Sequence, residues 1–404
     1  MTSPTVTPWN ANPAHYWMHG QRPDEPVEFD ERLGGWNVTG YAEAHQVLSD
    51  PQTFNSDVSR FFPTYGDPDD KTTKLLMSDN LLTMDGVAHR DRRKLVSKVF
   101  TPKIVADMEP RIAELVNDIV DGLVDKPAFD FVEEVAYPLP VSVIAEMLGV
   151  PISDRDLFVY WADRLFESKT IFYDTEPGQD AMAASQAAIK DFEPMIGYLA
   201  EHVAERRKQP REDLLSMMVA SDLSDDEVIS FGILLLVAGH VTTTLLLGST
   251  IMCLDRYRDA AAAVRADRSL VPAAIEESLR LISPVPAVVR GTTVDTEIGG
   301  RPVPADQMVV VAVGAVNRDP RQFPNPDTFD LTRDPNPHLG FGRGAHFCLG
   351  APLARLEGRV AVNVLLDRLG DLRTDPADPP VFHPSIEMGG ARKLPVKQSQ
   401  RDNS

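Results

Sequence analysis

Cysteine is nearly missing from this 404-residue chain: Cys253 and Cys348 are the only two. Two thiols cannot make a disulfide framework, so a reducing compartment is expected. Basic charge is also short. Forty Lys and Arg stand against sixty Asp and Glu, a net charge of −20. That balance disfavours nucleic acid or an anionic membrane as partner. The N-terminus, Met1 to Pro8, has neither a basic n-region nor an apolar core. It does not read as a signal peptide, and a cytoplasmic protein is expected. A dinucleotide-binding fingerprint is lacking too, because Phe347 stands where Gly342-x-Gly344 would need its third glycine. There is no internal repeat, no low-complexity block and no composition shift that would mark a second domain. What remains is 43% hydrophobic and 25% charged, enough apolar residue for a large core. The expectation is a single domain over 13–396, with disordered ends at 1–12 and 397–404.

One stretch has the length of a membrane span: Ser230 to Leu254 carries no charged residue. It does carry His240, Thr242, Thr243, Thr244, Ser249 and Thr250, and acids precede it. Its start, Ser224-Asp225-Asp226-Glu227, is a capping box. The reading is one buried helix from Ser224 to about Asp255, roughly 45 Å long. Other amphipathic or apolar helices are expected at Tyr41–Leu48, Met108–Leu123, Tyr137–Leu148, 157–173 and 180–208. Short β runs are expected at Gly35–Thr39, Thr292–Val294 and Gln307–Val313. A hairpin tip is expected over Ile386–Arg392, and 61–80 reads as an irregular binding loop or lid.

Four patterns carry chemistry. In Phe341-Gly342-Arg343-Gly344-Ala345-His346-Phe347-Cys348-Leu349-Gly350 a cysteine lies in a glycine-rich loop, and Pro352 fits the first turn of the helix that follows. Loop and helix N–H groups would stabilise a thiolate, a soft metal ligand. A lone cysteine is otherwise most often a buried core thiol. In Asp85-Gly86-Val87-Ala88-His89-Arg90-Asp91-Arg92-Arg93, His89 and Arg93 share a helix face, which would ordinarily be a solvated basic one. In Ala238-Gly239-His240-Val241-Thr242-Thr243, the threonines could simply bond the carbonyl one turn back. Glu277 and Arg280 form an i, i+3 pair of a kind common on helix surfaces.

Taken together and in this order, with 317–333 as a fifth motif, these segments resemble the cytochrome P450 family over nearly the whole chain. The Ala-Gly-His-aliphatic-Thr-Thr form is a minority variant shared with antibiotic-pathway members, macrolide hydroxylases among them. It puts Val241 where most of the family has an acid. Gly86 stands where the family often has proline. The resemblance implies a bacterial-type P450 fold, mainly α with a small β portion, and a long central helix over haem b. It implies Cys348 as the iron ligand and His89, Arg93, Arg290 and His346 at the haem propionates. Ala238 would face the haem, and Thr242 would handle protons beside bound O2. Glu277, Arg280 and Arg333 would be a buried structural network. The helices 157–173 and 180–208 would cover a substrate channel. The pocket lining would include Leu81, Leu82, Ala238, Val285, Ala287, Val288 and Met388.

The implied reaction is monooxygenation of a bulky natural-product intermediate, a macrolide first and a nonribosomal cyclic peptide second. Electrons would come from a ferredoxin and its reductase, and the protein would be a monomer. Oxidative coupling or ring closure, use of peroxide without a redox partner, and non-enzymatic haem sensing are the alternatives. His240 is expected to be a satisfied polar residue and Cys253 a core residue.

Overall fold

A computed structural model describes residues 11–61, 70–78, 80–98, 100–167 and 189–399. The main helices are α1 (Tyr41–Ser49), α2 (Gly86–Ser97), α3 (Glu109–Asp121), α4 (Pro138–Leu148), α5 (Arg155–Glu167), α6 (Glu193–Lys208), α7 (Asp225–Arg256), α8 (Val271–Leu281) and α9 (Ala351–Arg368). The five-stranded sheet has β1 (Val27–Asp30), β2 (Gly35–Val38), β3 (Phe54–Asn55), β4 (Val288–Thr292) and β5 (Met308–Val311), in the order β1-β2-β5-β4-β3. All neighbours are antiparallel except β2 and β5, where Trp36 pairs with Val309. The architecture is mainly α with a small β portion, as the family resemblance implies.

The core is organised around α7. Its capping box is formed: Ser224 Oγ accepts from the Glu227 N–H at 3.3 Å, and Glu227 Oε2 accepts from the Ser224 N–H at 2.8 Å. The helix is apolar on nearly all sides because it packs against α4, α6, α8 and α9. It is the one helix among the described residues long and apolar enough to cross a membrane, and 72% of its most apolar window is buried inside the protein. Gly239 sets the approach of α4: a Cβ there would lie 2.6 Å from Ile144 Cδ1. Its lack of bulk thus serves helix packing.

Several expectations need correction. Lys397 and Gln398 belong to the strand Pro395–Gln398, which pairs with Ala128–Asp130 and Leu372–Thr374. Polarity misled there, because Val396 is buried while Lys397 turns out to Asp375. At the other end Ala11 is buried and Asn12 Nδ2 donates to the Pro384 carbonyl. Disorder expected at 1–10 and 400–404 falls outside the described residues, as do 62–69 of the expected loop and the 174–179 linker. Strand β4 ends at Thr292, so Val294 is not in it. Pro302 lies inside the strand Arg301–Val303, opposite Glu297.

Candidate functional site

The cysteine loop is shaped by its first two glycines. Gly342 and Gly344 have φ of +67° and +70°, where a side chain would be strained. A Cβ on Gly344 would also meet the Leu48 carbonyl at the end of α1, at 2.5 Å. The Cys348 N–H donates to the Phe341 carbonyl at 2.9 Å, which closes the loop. The N–H groups of Gly350 and Ala351, at the start of α9, both point at Cys348 Sγ. Burial raises the thiol pKa, while those two N–H groups and the charges of Arg93 and Arg355 pull it down. Gly350 is different from its partners. Its φ is −81° and a Cβ would meet nothing within 4 Å. The protein alone does not need glycine there; open space stands beside the thiol.

Helix α2 delivers the basic groups. Gly86 begins it at φ +68°, a conformation that proline, fixed near −65°, cannot take. The departure from the family habit at Gly86 therefore has a backbone cause. His89 is 3% exposed and stacks on the His346 ring, with centroids 4.3 Å apart. Its Nε2 has no hydrogen-bond partner. Burial first, then the charges of His346 and Arg93, push its pKa down to about 4. His346 Nε2 lies 2.8 Å from Asp85 Oδ1 and 3.0 Å from Ser56 Oγ, which leaves only Nδ1 for another ligand. Asp85 is half-buried, which raises its pKa. The His346 contact and the Ser56 N–H more than offset this and hold it below the usual range. Arg93 reaches the Phe347 carbonyl from α2. Arg290, in β4, bonds only the Val289 carbonyl, at 2.7 Å, and its burial lowers its pKa.

His89, Arg93, Arg290, His346 and Cys348 are thus drawn together from three parts of the chain. They present more donors than the described residues supply acceptors for, beside a thiol. This donor set fits a dianionic, flat, iron-bearing group such as haem.

The central helix shows a second opening. Ala238 is exposed and Thr242 half-exposed on a helix otherwise buried on all sides. Thr242 Oγ1 donates to the Ala238 carbonyl at 2.9 Å. Thr243 does the same to Gly239 at 3.2 Å, but Thr244 reaches across to the Ala136 carbonyl at 2.9 Å, so it ties two elements together. Val241 is buried with Leu245 and Met388, away from this opening. His240 is only half-satisfied: Nδ1 donates to the Leu236 carbonyl, while Nε2 has no partner, and burial lowers its pKa to about 4. Cys253 is wholly buried, which pushes its pKa up to about 12.

Of the expected lining, Val285, Ala287 and Val288 are half-exposed, Leu82 is exposed and Met388 is buried. Leu81 lines a small cleft with Arg92, Glu227 and Phe231.

Glu277, Arg280 and Arg333 form a closed ionic network. Arg280 is bidentate on Glu277 at 2.7 and 2.8 Å, and Arg333 Nε lies 3.2 Å from Glu277 Oε1. Asn336 and the Asp330 N–H add two more donors to the same carboxylate. Sequence reasoning missed the neighbouring cluster. Arg355, on α9, is bidentate on Glu276 at 2.7 Å and sits 4.5 Å from the Phe341 ring centroid, while His338 Nε2 lies 3.1 Å from Glu276. It braces the cysteine loop from behind. The signal was present, since Glu276 precedes Glu277 and Arg355 follows the loop, but nothing in the spacing pairs them. Asp85 was missed likewise, although it lies inside a motif that was read.

The sequence matches the family model described as Cytochrome P450 over residues 3–384. It is 37% identical to the cyclomarin C epoxidase CymV of Salinispora arenicola (strain CNS-205), covering 98% of each chain. It is also 37% identical to the erythromycin C-12 hydroxylase of Saccharopolyspora erythraea, over 94% of this chain and 93% of that one. Among solved structures, that of HmtT, involved in himastatin biosynthesis, has a TM-score of 0.86 at 49% identity and covers 97% of this chain and 98% of that one. HmtN, a post-tailoring hydroxylase of himastatin biosynthesis, has a TM-score of 0.83 at 46% identity with the same coverage.

Proposed function

This chain belongs to the cytochrome P450 family, and from that premise we propose that Cys348 is its haem ligand and a bulky macrocyclic natural product its substrate. It is a monooxygenase that works with haem b and O2. When bound, a thiolate-held haem supplies the oxygen-activating chemistry, with one atom of O2 entering substrate and the other leaving as water. The observation that carries the assignment is the set of basic groups around Cys348 with few acceptors of their own: His89 Nε2 has none, and Arg93 and Arg290 have one backbone carbonyl each. His89 Nε2, Arg93 and Arg290 are positioned for carboxylates that no described residue supplies. His346 can join them only through Nδ1, because Asp85 takes Nε2. The N–H groups of Gly350 and Ala351 hold the charge of a thiolate at Sγ.

The exposed face of Ala238 and Thr242 would border the reacting substrate bond. Val285, Ala287 and Val288, with Met388 buried behind them and Leu81 and Leu82 nearer the periphery, would complete an apolar wall that excludes water. Thr242 Oγ1 would hold a proton-bearing water there. The rest of the reading is a single domain that takes in Ala11 and the strand to Gln398, acting as a cytoplasmic monomer with a ferredoxin and its reductase. Macrolides and the products named for cyclomarin and himastatin pathways define the substrate class to screen.

The direct test is spectral. Reduced protein with carbon monoxide should absorb at about 450 nm. Cys348→Ser should lose that band and Cys253→Ser should keep it. A band confined to about 420 nm in undamaged wild type would overturn thiolate ligation.

A further inference from the structure

The cysteine loop leans on a cation that the haem-carboxylate set does not use, Arg355. It stands on α9 one turn after Ala351, whose N–H points at Cys348 Sγ. Its guanidinium lies 4.5 Å from the Phe341 ring centroid, and the Phe341 carbonyl accepts the Cys348 N–H at 2.9 Å. Arg355 therefore meets the thiol's surroundings twice: through the helix that begins beside Sγ and through the residue that closes the loop. The charge of Arg355 acts on Cys348 and that of Cys348 on Arg355.

The guanidinium is fixed from its other side. Its Nε and Nη2 each donate to one oxygen of Glu276, on α8, at 2.7 Å. His338 Nε2 lies 3.1 Å from the same carboxylate, and His338 Nδ1 accepts the Gly340 N–H at 3.1 Å, so the anion is tied to the start of the loop. A planar fork of this kind sets orientation as well as charge. One turn further along α9, Arg359 makes the same fork with Glu109, at 3.0 and 2.7 Å. There Glu109 is the only charge acting on the guanidinium. The two pairs share a helix and a geometry, and differ in whether the cation is coupled to the thiol.

We propose that Arg355 is a positioning residue that acts through Cys348: its cation raises the reduction potential of the thiolate-held haem, and Glu276 sets how much of that charge the thiolate feels. The step concerned adds one electron from a low-potential donor and turns ferric haem to ferrous, with no bond made or broken in the protein. Adding negative charge beside a fixed cation is favoured, and a counter-ion on that cation weakens the effect. This rests on the haem-thiolate reading for the ligand, not for the geometry of the pair.

The test is a dithionite titration of the holoenzyme at pH 7. Each protein is first shown to give the carbon monoxide band at about 450 nm, so that a failed thiolate assignment is seen separately. Arg355→Gln should shift the ferric/ferrous equilibrium toward ferric by about tenfold, a potential lower by about 59 mV for one electron. Glu276→Gln keeps the cation and removes its counter-ion, so the potential should rise, by about threefold in the same equilibrium. Arg355→Lys should restore most of the parent value, and Arg359→Gln should leave it unchanged. A merely structural role cannot give opposite signs, because a loosened loop would move both variants the same way. An unchanged potential in Arg355→Gln, or shifts of one sign in Arg355→Gln and Glu276→Gln, would overturn the proposal. Should Arg355→Gln fail to hold haem, Glu276→Gln decides alone: a potential at or below the parent's counts against it.

Discussion

Glu277 and His89 are both almost fully buried, at 0% and 3% exposure, and both belong to motifs of charged residues on helices. Their surroundings differ. The Glu277 carboxylate receives five donors from Arg280 (two), Arg333, Asn336 and the Asp330 N–H. Arg280 spends its remaining N–H groups on the carbonyls of Asn317, Pro326 and Thr328. Only Arg333 Nη2 and Asn336 Oδ1, at its margin, lack a partner; the carboxylate and Arg280 are fully engaged. Around His89 the donors outnumber the acceptors: its Nε2 is empty, and Arg93 and Arg290 each find only one backbone carbonyl. A protein fold rarely leaves buried polar groups unpaired. At Glu277 the paired charges hold the fold, and around Cys348 the incompletely paired donors fit a dianionic ligand.

The largest effect should come from breaking the closed network. Glu277→Ala would strand Arg280 and weaken the hold on Arg333 inside the protein, at a cost of about 3–5 kcal/mol. That is a large share of ordinary domain stability, roughly 5–15 kcal/mol. Urea midpoints, or loss of soluble protein at 37 °C, would show it. A variant within about 1 kcal/mol of the parent would mean that the network can relax.

Glu276 sharpens the comparison through pH. Burial raises its pKa, but Arg355 and then His338 bring it down to about 2, from 4.5 unperturbed. A depressed carboxyl stabilises the fold fully above its unfolded pKa. That contribution is lost as pH falls from about 4.5 through 2. At pH 7 the stabilisation is about 2–3 kcal/mol, taken on the low side because the side chain keeps 28% exposure. Glu276→Gln should therefore melt below wild type at pH 7, and the gap should narrow by pH 3. A gap independent of pH would place its cost in packing.

Breaking the open cluster should leave the fold intact. Arg93→Ala and Arg290→Ala should each speed haem loss to an apoprotein acceptor, by roughly tenfold for one charge-assisted bond. Haem retention equal to the parent in the double variant would sink their assignment to the propionates.

Much of this division was legible in the sequence, for a physical reason. Cys348, His89, Arg93, Glu277 and Arg280 sit in short stretches whose local geometry already fixes their relations: a loop with left-handed glycines, i, i+4 on α2, i, i+3 on α8. The partners that decide each group's state come from far along the chain. Arg355 meets Glu276 across 79 positions and His346 meets Asp85 across 261. No periodicity encodes such meetings. The strand at Lys397 was lost to polarity for a similar cause: the middle strand of a three-stranded sheet alternates a charge outward with a buried valine.

Thr242 stands between the two regions and should give the smallest and most selective effect. Its hydroxyl is satisfied within its own helix, donating to Ala238 at 2.9 Å, so the fold does not need another partner for it. Yet Oγ1 keeps lone pairs that can accept from a water, on the half-exposed side of an otherwise buried helix. Val241 cannot share the task. It has no proton, and it packs on Leu245 and Met388 away from the opening. Proton supply to the oxygen chemistry should therefore depend on Thr242 Oγ1 and the water it holds. Thr242→Ala should keep the carbon monoxide band and the melting temperature. Product per NAD(P)H should fall by a factor of a few, well short of the roughly 10²-fold of a lost general acid, because water remains. Hydrogen peroxide should rise to match, and Thr242→Ser should restore most of the coupling. Product, peroxide and cofactor consumption read in one reaction decide the matter. Full coupling in Thr242→Ala would mean that the substrate's own donors deliver the proton and that this hydroxyl merely caps a turn of its helix.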